Sequence, residues 1–522
     1  MSKPKVLVRE TIADAGVDLL RSKFDVDVDG NGDLAEKIGA YDAIVIRSAT
    51  KLTADLIEKG TNLKVIGRAG VGVDNVDVDA ATRHGIVVAN APESNVVSAA
   101  EHTIGLLVAL ARNIPQAHAA MKQGKWERSK WGGVELADKT LGVLGFGKIG
   151  QQVARKAVGL GMRVVAYDPF VAKDRFRELG VERAETVDEV YAAAEFLTLH
   201  LPSVPETRGS INAEAFAKMR DGVRIINAAR GALVVDDDLI AAIESGKVGG
   251  AALDVYSQEP YEGPLTQLDN VVVTPHLAAS TDEAQDRAGV IVAEQVAAAL
   301  EGGLVTNAVN IPALREEDLE ILNPYLPLAK QLGRLAMEFA NGRADALTIA
   351  YHGGIASYDT RLLTMAALNG AFESRDASVN WVNARLIAND RGIEVNEESH
   401  RSSRDFTNLV SVRVRQDGEE VAVAGTTIGT RLWLASALGY ELEMELAPRM
   451  VFLRYDDIPG QIGKIGTLFG EVEVNIANMA VSRNREGGKA LMALSVDSDA
   501  PSELVERLQA AAFDEVRVVT LT

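Results

Sequence analysis

Short β-branched runs alternate with longer amphipathic segments through the first part of the chain. KVLVRE (5–10) precedes IADAGVDLLRSKF, YDAIVIRS precedes TADLIEKG, and LKVIGRAG and GIVVANAP follow. Such alternation predicts a parallel sheet with crossover helices. A long apolar helix over roughly 97–112 leads through a loop carrying Trp126 and Trp131 into a second series. That series begins at KTLGVLGFGKIG and runs through RVVAYD, FLTLHLP, RIINAA, GAALDV and NVVVTPH. A helix around 281–301 follows, and NAVNIPAL reads as a boundary. Residues from about 310 to 447 lose the rhythm and carry no motif. The pattern resumes as β-α-β-β-α-β: MVFLRYDDIPG, helix QIGKIGTLFGEV, strands NIANMAVSR and ALMALSV around a REGGK turn, helix SELVERLQAAA, and EVRVVTL. That is a ferredoxin-like module.

At 522 residues the chain exceeds a single core. Lysine and arginine number 54 against 74 acidic residues, a formal charge of -20, which argues against a duplex-binding surface. An anionic substrate therefore needs a local cluster of arginines. With no cysteine, disulfides, thiolate metal sites and cysteine nucleophiles are excluded, and no metal is expected. MSKPKVLVRE lacks the apolar core of a signal peptide, and no apolar run is long enough to span a bilayer. A cytoplasmic location is the expectation.

GVLGFGKIG sets Gly145, Gly147 and Gly150 at G-x-G-x-x-G spacing between a predicted strand and a predicted helix. The first glycine permits a tight turn, the second lets a pyrophosphate approach the backbone, and the third lets helix and strand pack closely. Asp168 ends the next strand, RVVAYD, where a carboxylate accepts from both ribose hydroxyls and repels a 2′-phosphate. NAD is thus expected in preference to NADP. The fold class that follows is α/β, with two Rossmann-like doubly wound parallel-sheet domains ahead of an α+β domain and the βαββαβ module.

Three later strands end near residues with usable chemistry: Arg230 after RIINAA, Asp254 and Glu259 after GAALDV, and His276 after NVVVTP. In an open parallel sheet, ligands bind beyond these carboxyl ends. Hydride transfer from a hydroxyl-bearing carbon needs a group that takes the hydroxyl proton, a task suited to histidine. Glu259 would orient that ring, and Arg230 would grip a carboxylate bidentately. Asp254 would accept from the nicotinamide region. The other six histidines (84, 102, 118, 200, 352 and 400) read as structural. Arg401 and Arg404 read as a solvated loop rather than an anion site.

NAARGALVVDDDL, ALDVYSQEP and TPHLAAST resemble the D-isomer-specific 2-hydroxyacid dehydrogenases over about residues 3–310. Within that family, RAGVGVDNVD, GKWERSKWGGVEL and the long C-terminal extension resemble the members acting on 3-phospho-D-glycerate. The final module is similar to ACT domains. The division implied is a substrate-binding domain (1–97 plus 283–308), an NAD-binding Rossmann domain (98–282), an intervening domain (309–447) and an ACT regulatory domain (450–522).

The resemblance implies NAD-dependent oxidation of 3-phospho-D-glycerate to 3-phosphohydroxypyruvate, opening L-serine biosynthesis. It gives Arg230 substrate binding, Glu259 an assisting role and His276 the acid/base role. Lys148 and Ile149 would offer amides to the pyrophosphate. Ala228, Ala229, Arg230, Asp254, His276, Leu277, Ala278 and Ala279 would line the cofactor. Arg47 and Arg68 would hold the substrate phosphate, and the Gly70-Val71-Gly72 backbone with Asn95 its carboxylate. In the ACT-like segment, Tyr455, Asp457 and Asn475 would receive L-serine as a feedback inhibitor in a homotetramer. Two alternatives stay open on the residues alone. One is a hydroxypyruvate or glyoxylate reductase on the same scaffold, and the other is an NADH-sensing corepressor-like binding protein.

Overall fold

The first apolar runs form β1 (Lys5–Val8), β2 (Asp25–Val28), β3 (Ala43–Ile46), β4 (Val65–Arg68) and β5 (Val87–Ala89). They pair in the order β2-β1-β3-β4-β5, every pair parallel. The structure is a computed structural model and describes residues 3–303, 305–312, 316–403, 405–484, 488–511 and 513–521. A parallel strand covered on both faces needs apolar side chains on both, which is why β3 reads AIVI and is buried throughout.

The second series gives β6 (Thr140–Leu144), β7 (Arg163–Tyr167), β8 (Glu182–Arg183), β9 (Phe196–Leu199), β10 (Val223–Asn227), β11 (Val248–Leu253) and β12 (Val271–Val273). These form a parallel sheet in the order β12-β11-β10-β9-β6-β7-β8. The order reverses between β6 and β9, which opens a crevice at the carboxyl ends of the strands. The helix Val96–Arg112 carries the chain into this domain, and Asp282–Leu300 carries it back. Thr281 caps the return helix by accepting from the Ala284 amide, a contact worth about 1 kcal/mol. Val292 and Val296 of that helix crowd Gly67 of β4, where a Cβ would lie 2.8 and 2.7 Å from their methyls. The return helix therefore closes the core of the first sheet.

Residues without a recognisable rhythm form a mixed sheet of β13 (Ala346–Gly353), β14 (Glu394–His400), β15 (Asn408–Gln416), β16 (Glu419–Ile428), β17 (Arg431–Ala437) and β18 (Tyr440–Glu445). Its order is β14-β13-β15-β16-β17-β18, with β13 and β14 parallel and the other pairs antiparallel. Helices Tyr325–Phe339 and Arg361–Phe372 meet backbone to backbone. A Cβ on Gly333 would stand 1.9 Å from the Ala367 carbonyl oxygen, and one on Gly370 1.8 Å from that of Lys330. His352 and His400 stack across the β13–β14 pair with ring centroids 4.7 Å apart. Asn380 of this domain donates to the Gly85 carbonyl of the first at 2.6 Å.

The last sheet contains β19 (Arg449–Asp456), β20 (Ile476–Arg483), β21 (Lys489–Val496) and β22 (Glu515–Thr520), antiparallel in the order β20-β21-β19-β22. Helices Gln461–Glu471 and Ser502–Ala510 pack on one face through Val451, Leu453 and Tyr455. The other face is also covered. Met450, Phe452 and Val519 join the core of the preceding domain, where Phe339 meets Phe452 edge-on at 5.0 Å. The REGGK turn falls largely on 485–487, outside the described residues, as does Arg404. Among the described residues no helix is long and apolar enough to cross a membrane.

Candidate active site

The glycine loop sits between β6 and the helix Lys148–Gly159. Gly145 has φ +90°, and a Cβ there would lie 2.4 Å from the His200 carbonyl oxygen at the end of β9. A Cβ on Gly150 would lie 2.2 Å from the Gly145 oxygen, so only hydrogen allows the helix to start this close to the strand. At Gly147 a Cβ would meet no atom within 4 Å, which leaves the loop backbone open to a ligand. Asp168 braces the loop. Its Oδ2 accepts from the Phe146 amide at 2.8 Å and its Oδ1 from the Phe170 amide at 2.9 Å. Lys148 opens the helix and pairs with Glu93, while Ile149 packs inward against the core. Tight turn, open second glycine and carboxylate at the neighbouring strand end fit a dinucleotide. Burial pushes the nearby His200 imidazole down to about 4, so it is uncharged at neutral pH.

The ends of β10, β11 and β12 carry the three candidate catalytic residues. His276 Nδ1 lies 2.8 Å from Glu259 Oε2. A carboxylate only accepts, so Nδ1 carries the proton and Nε2 is left with a lone pair able to accept one. Glu259 is held in turn, its Oε1 accepting from the Tyr256 amide at 3.2 Å. The Tyr256 hydroxyl donates towards the Leu253 and Thr274 carbonyls, at 3.1 and 2.9 Å, tying the ends of β11 and β12 together. His276 itself has φ +57°, a left-handed conformation costly for a side-chain-bearing residue.

Asp254 accounts for that conformation, a role the sequence alone did not show. Its side chain is 0% exposed, and its carboxylate accepts from the Leu277 amide at 2.7 Å, the Ala278 amide at 2.9 Å and the Thr274 hydroxyl at 2.6 Å. His102 adds a fourth contact, with Nε2 3.2 Å from Asp254 Oδ1. Burial pushes this carboxyl up, but the hydrogen bonds outweigh it and hold the group below the usual carboxylate range. Asp254 thus clamps the turn that presents His276. Asn227 does similar work for Arg230: buried, it accepts from the Ala229 amide and donates to the Arg230 carbonyl, closing the turn over Ala228 and Ala229. Sequence reading did not single out Tyr256 or Asn227, and it read His102, a polar residue inside an apolar helix, as structural.

A cavity of about 690 Å³ opens beside His276 and Glu259, lined across the cleft by Arg47, Arg68, Gly70 and Asn95. Tyr261, Ala279 and Gln285 also line it. The Arg68 guanidinium lies over Gly70, where a Cβ would fall 1.6 Å from Nη1. Arg68 Nε and Asn95 Oδ1 are buried without a hydrogen-bond partner. Burial, then repulsion from Arg230 and Arg47, lowers the affinity of Arg68 for its proton, against opposing attraction from Asp74 and Glu10. Glu10 also fixes the loop of Arg47, accepting from the amides of Arg47, Ala49 and Thr50. Such a site favours an anion. Val71 and Gly72 are not among the lining residues, nor is Arg230. Arg230 lies over Gly72, with Nε 3.6 Å from Asp74 across the cleft.

The ACT-like segment requires a correction. Tyr455 is 2% exposed and packs edge-on against Phe513 at 5.7 Å. It alternates with Val451 and Leu453 toward the helices, so it is a core residue and does not face an effector. Asp457 is half-buried and faces Arg483 at 3.5 Å, whereas exposed Asn475 donates to Asp497 at 2.6 Å. Among the described residues, no cluster of three or more metal-binding side chains is present.

The chain matches the family model for the D-isomer specific 2-hydroxyacid dehydrogenase NAD binding domain over residues 104–278. It also matches the D-3-phosphoglycerate dehydrogenase intervening domain over 321–432 and the ACT domain over 449–513. A D-3-phosphoglycerate dehydrogenase of Synechocystis is 43% identical over 515 residues, 97% of this chain and 93% of the relative. One of Archaeoglobus fulgidus is 42% identical over 513 residues, 97% of each chain. Among solved structures, a glyoxylate reductase from Paecilomyes thermophila aligns with a TM-score of 0.55 at 31% identity, covering 59% of this chain and 99% of that one.

Proposed function

The chain belongs to the D-3-phosphoglycerate dehydrogenase family, and on that premise we propose that His276, Glu259 and Arg230 carry its oxidation of 3-phospho-D-glycerate to 3-phosphohydroxypyruvate. It is an NAD-dependent oxidoreductase whose reaction opens serine biosynthesis. The observation that carries the reading is the Nδ1-to-carboxylate contact of His276 and Glu259 at the rim of an arginine-lined cavity. NAD+, when bound at the glycine loop, supplies the hydride acceptor. The chain's own part is proton transfer and charge placement. His276 Nε2 takes the hydroxyl proton of the substrate, and Glu259 stabilises the imidazolium that results. Arg230, permanently charged, holds the substrate carboxylate and polarises the forming carbonyl. Arg47 and Arg68 receive the phosphate; the unpartnered Nε of Arg68 supports that role.

For the cofactor, we assign the pyrophosphate to the amides of Gly147, Lys148 and Ile149 and the adenosine ribose to Asp168. Ala228, Ala229 and the turn from His276 to Ala279 flank the nicotinamide, and Asp254 acts chiefly by shaping that turn. The division at 1–97 with 283–308, 98–282, 309–447 and 450–522 remains our working description. The ACT domain supports regulation by an amino acid, and the pathway end product L-serine is the effector we favour, near Asp457 and Asn475. A cytoplasmic homotetramer is the assembly in which we place it.

One assay tests both halves of this reading. NADH formation from 3-phosphoglycerate is measured on wild type and Arg68→Ala, with and without L-serine. Losing a charge-assisted phosphate contact should raise KM roughly 10- to 100-fold with kcat within about threefold, and leave weak D-glycerate turnover unaffected. L-serine should slow the wild type. An unchanged KM removes Arg68 from the phosphate site, and a rate indifferent to serine removes that effector.

A further inference from the structure

His102 lies on the helix Val96–Arg112, outside the catalytic set, yet two polar contacts tie that helix to the segment carrying His276. Ser98 Oγ is 2.8 Å from Thr281 Oγ1, five residues beyond His276. One helical turn on, on the same face, His102 Nε2 is 3.2 Å from both Thr274 Oγ1 and Asp254 Oδ1. The helix therefore grips the His276 segment before and after the turn. Upstream of the same helix, Ser94 and Asn95 line the substrate cavity, and Arg287 Nε donates to the Ser94 carbonyl at 2.9 Å.

The proton on His102 can be assigned from its partners. The single hydroxyl hydrogen of Thr274 goes to Asp254 at 2.6 Å, and a carboxylate supplies none. Both atoms facing His102 are thus acceptors, so Nε2 carries a hydrogen and donates to them. Asp254, fully buried, has amide donors on 277 and 278 and a hydroxyl donor on Thr274; His102 is the one side chain beside it able to carry positive charge among the described contacts. Without it, a buried carboxylate loses one of four donors, a change that loosens the clamp on Leu277 and Ala278.

We propose that His102 is a positioning residue of the dehydrogenase reaction: it braces Asp254 and Thr274 and thereby holds the left-handed backbone that aims His276 at the substrate. The inference rests on His276 as the proton-transfer group. It predicts an effect on kcat with little change in KM, because His102 aims the base and touches no substrate.

The test compares His102→Leu, His102→Gln and His102→Asn, each alone, and His102→Leu also combined with His276→Asn. Glutamine carries an N–H at a reach similar to Nε2, whereas asparagine is a bond too short. His102→Leu and His102→Asn should lose about tenfold in kcat, with KM for 3-phosphoglycerate within about twofold, and His102→Gln should recover most of the loss. In the His276→Asn background, His102→Leu should have no further effect. Wild-type kcat in His102→Asn, a glutamine variant as slow as the leucine one, or a full additional loss in the double variant overturns the proposal. A fully active His276→Asn enzyme would instead refute the acid/base assignment itself, so the two failures are distinguishable.

Discussion

His276→Asn should lower kcat for 3-phosphoglycerate oxidation by about 10²- to 10⁴-fold, the range expected for losing a positioned general base. Asparagine is the informative replacement because position 276 has φ +57°, and asparagine tolerates the left-handed region better than most residues. The amides of Leu277 and Ala278 can then remain on Asp254. NADH binding, followed by fluorescence quenching, should be weakened by no more than a few-fold, since the glycine loop and Asp168 are untouched and the backbone of the turn beside the nicotinamide stays on Asp254. A drop in kcat with retained NADH affinity therefore separates loss of chemistry from loss of fold. The same measurement bears on the corepressor alternative, in which His276 has no catalytic task. A variant within a few-fold of wild-type kcat would remove His276 from the reaction.

The second large effect concerns Arg230. Replacing it by glutamine removes the permanent charge at the substrate carboxylate, and truncating one partner of such a pair costs about 2–5 kcal/mol, or roughly 30- to 4,000-fold in kcat/KM. Lysine should rescue poorly. The guanidinium lies close over Gly72, with Nη1 donating to the Ala229 carbonyl, and a single ammonium cannot reproduce that fork. The Asp74 carboxylate near Arg230 Nε offers a weak, solvent-exposed partner that a substrate carboxylate can displace. Steady-state kinetics on Arg230→Lys and Arg230→Gln decide the matter: a lysine enzyme with wild-type kcat/KM would show that charge alone suffices and that bidentate binding is not required.

The parts of this molecule legible in sequence are those where local pattern and tertiary placement coincide. Buried parallel strands must be apolar on both faces, so β3, β9 and β10 announced themselves as runs, and the glycine loop followed because its spacing has one steric purpose. Strand ends were equally readable, which is how Arg230, Glu259 and His276 emerged together. Groups whose role depends on a partner distant in sequence were hidden. Asp254 was assigned to the cofactor because its strand end faces the crevice; the structure adds that amides 23 and 24 residues further on take up its carboxylate. His102 was read as structural, and nothing in its apolar helix reveals that its partner is the carboxylate just after β11. Tyr455 was misplaced for a related reason. MVFL in β19 is apolar on both faces because the sheet is covered on both, by its own helices and by the preceding domain. That run conceals the alternation that would have turned Tyr455 inward. The middle domain stayed unreadable because Arg361–Phe372 is buried all round, which erases helical periodicity.

The arginine-lined cavity suits a dehydrogenase of a phosphorylated 2-hydroxyacid. Initial rates of NAD+ reduction with 3-phospho-D-glycerate and with D-glycerate, on the same enzyme, test it most directly. The unpartnered Nε of Arg68 in this cavity predicts a kcat/KM for the phosphorylated substrate at least about 10²-fold higher. Equal kcat/KM for the two substrates would remove the phosphate from recognition and favour a hydroxypyruvate or glyoxylate reductase.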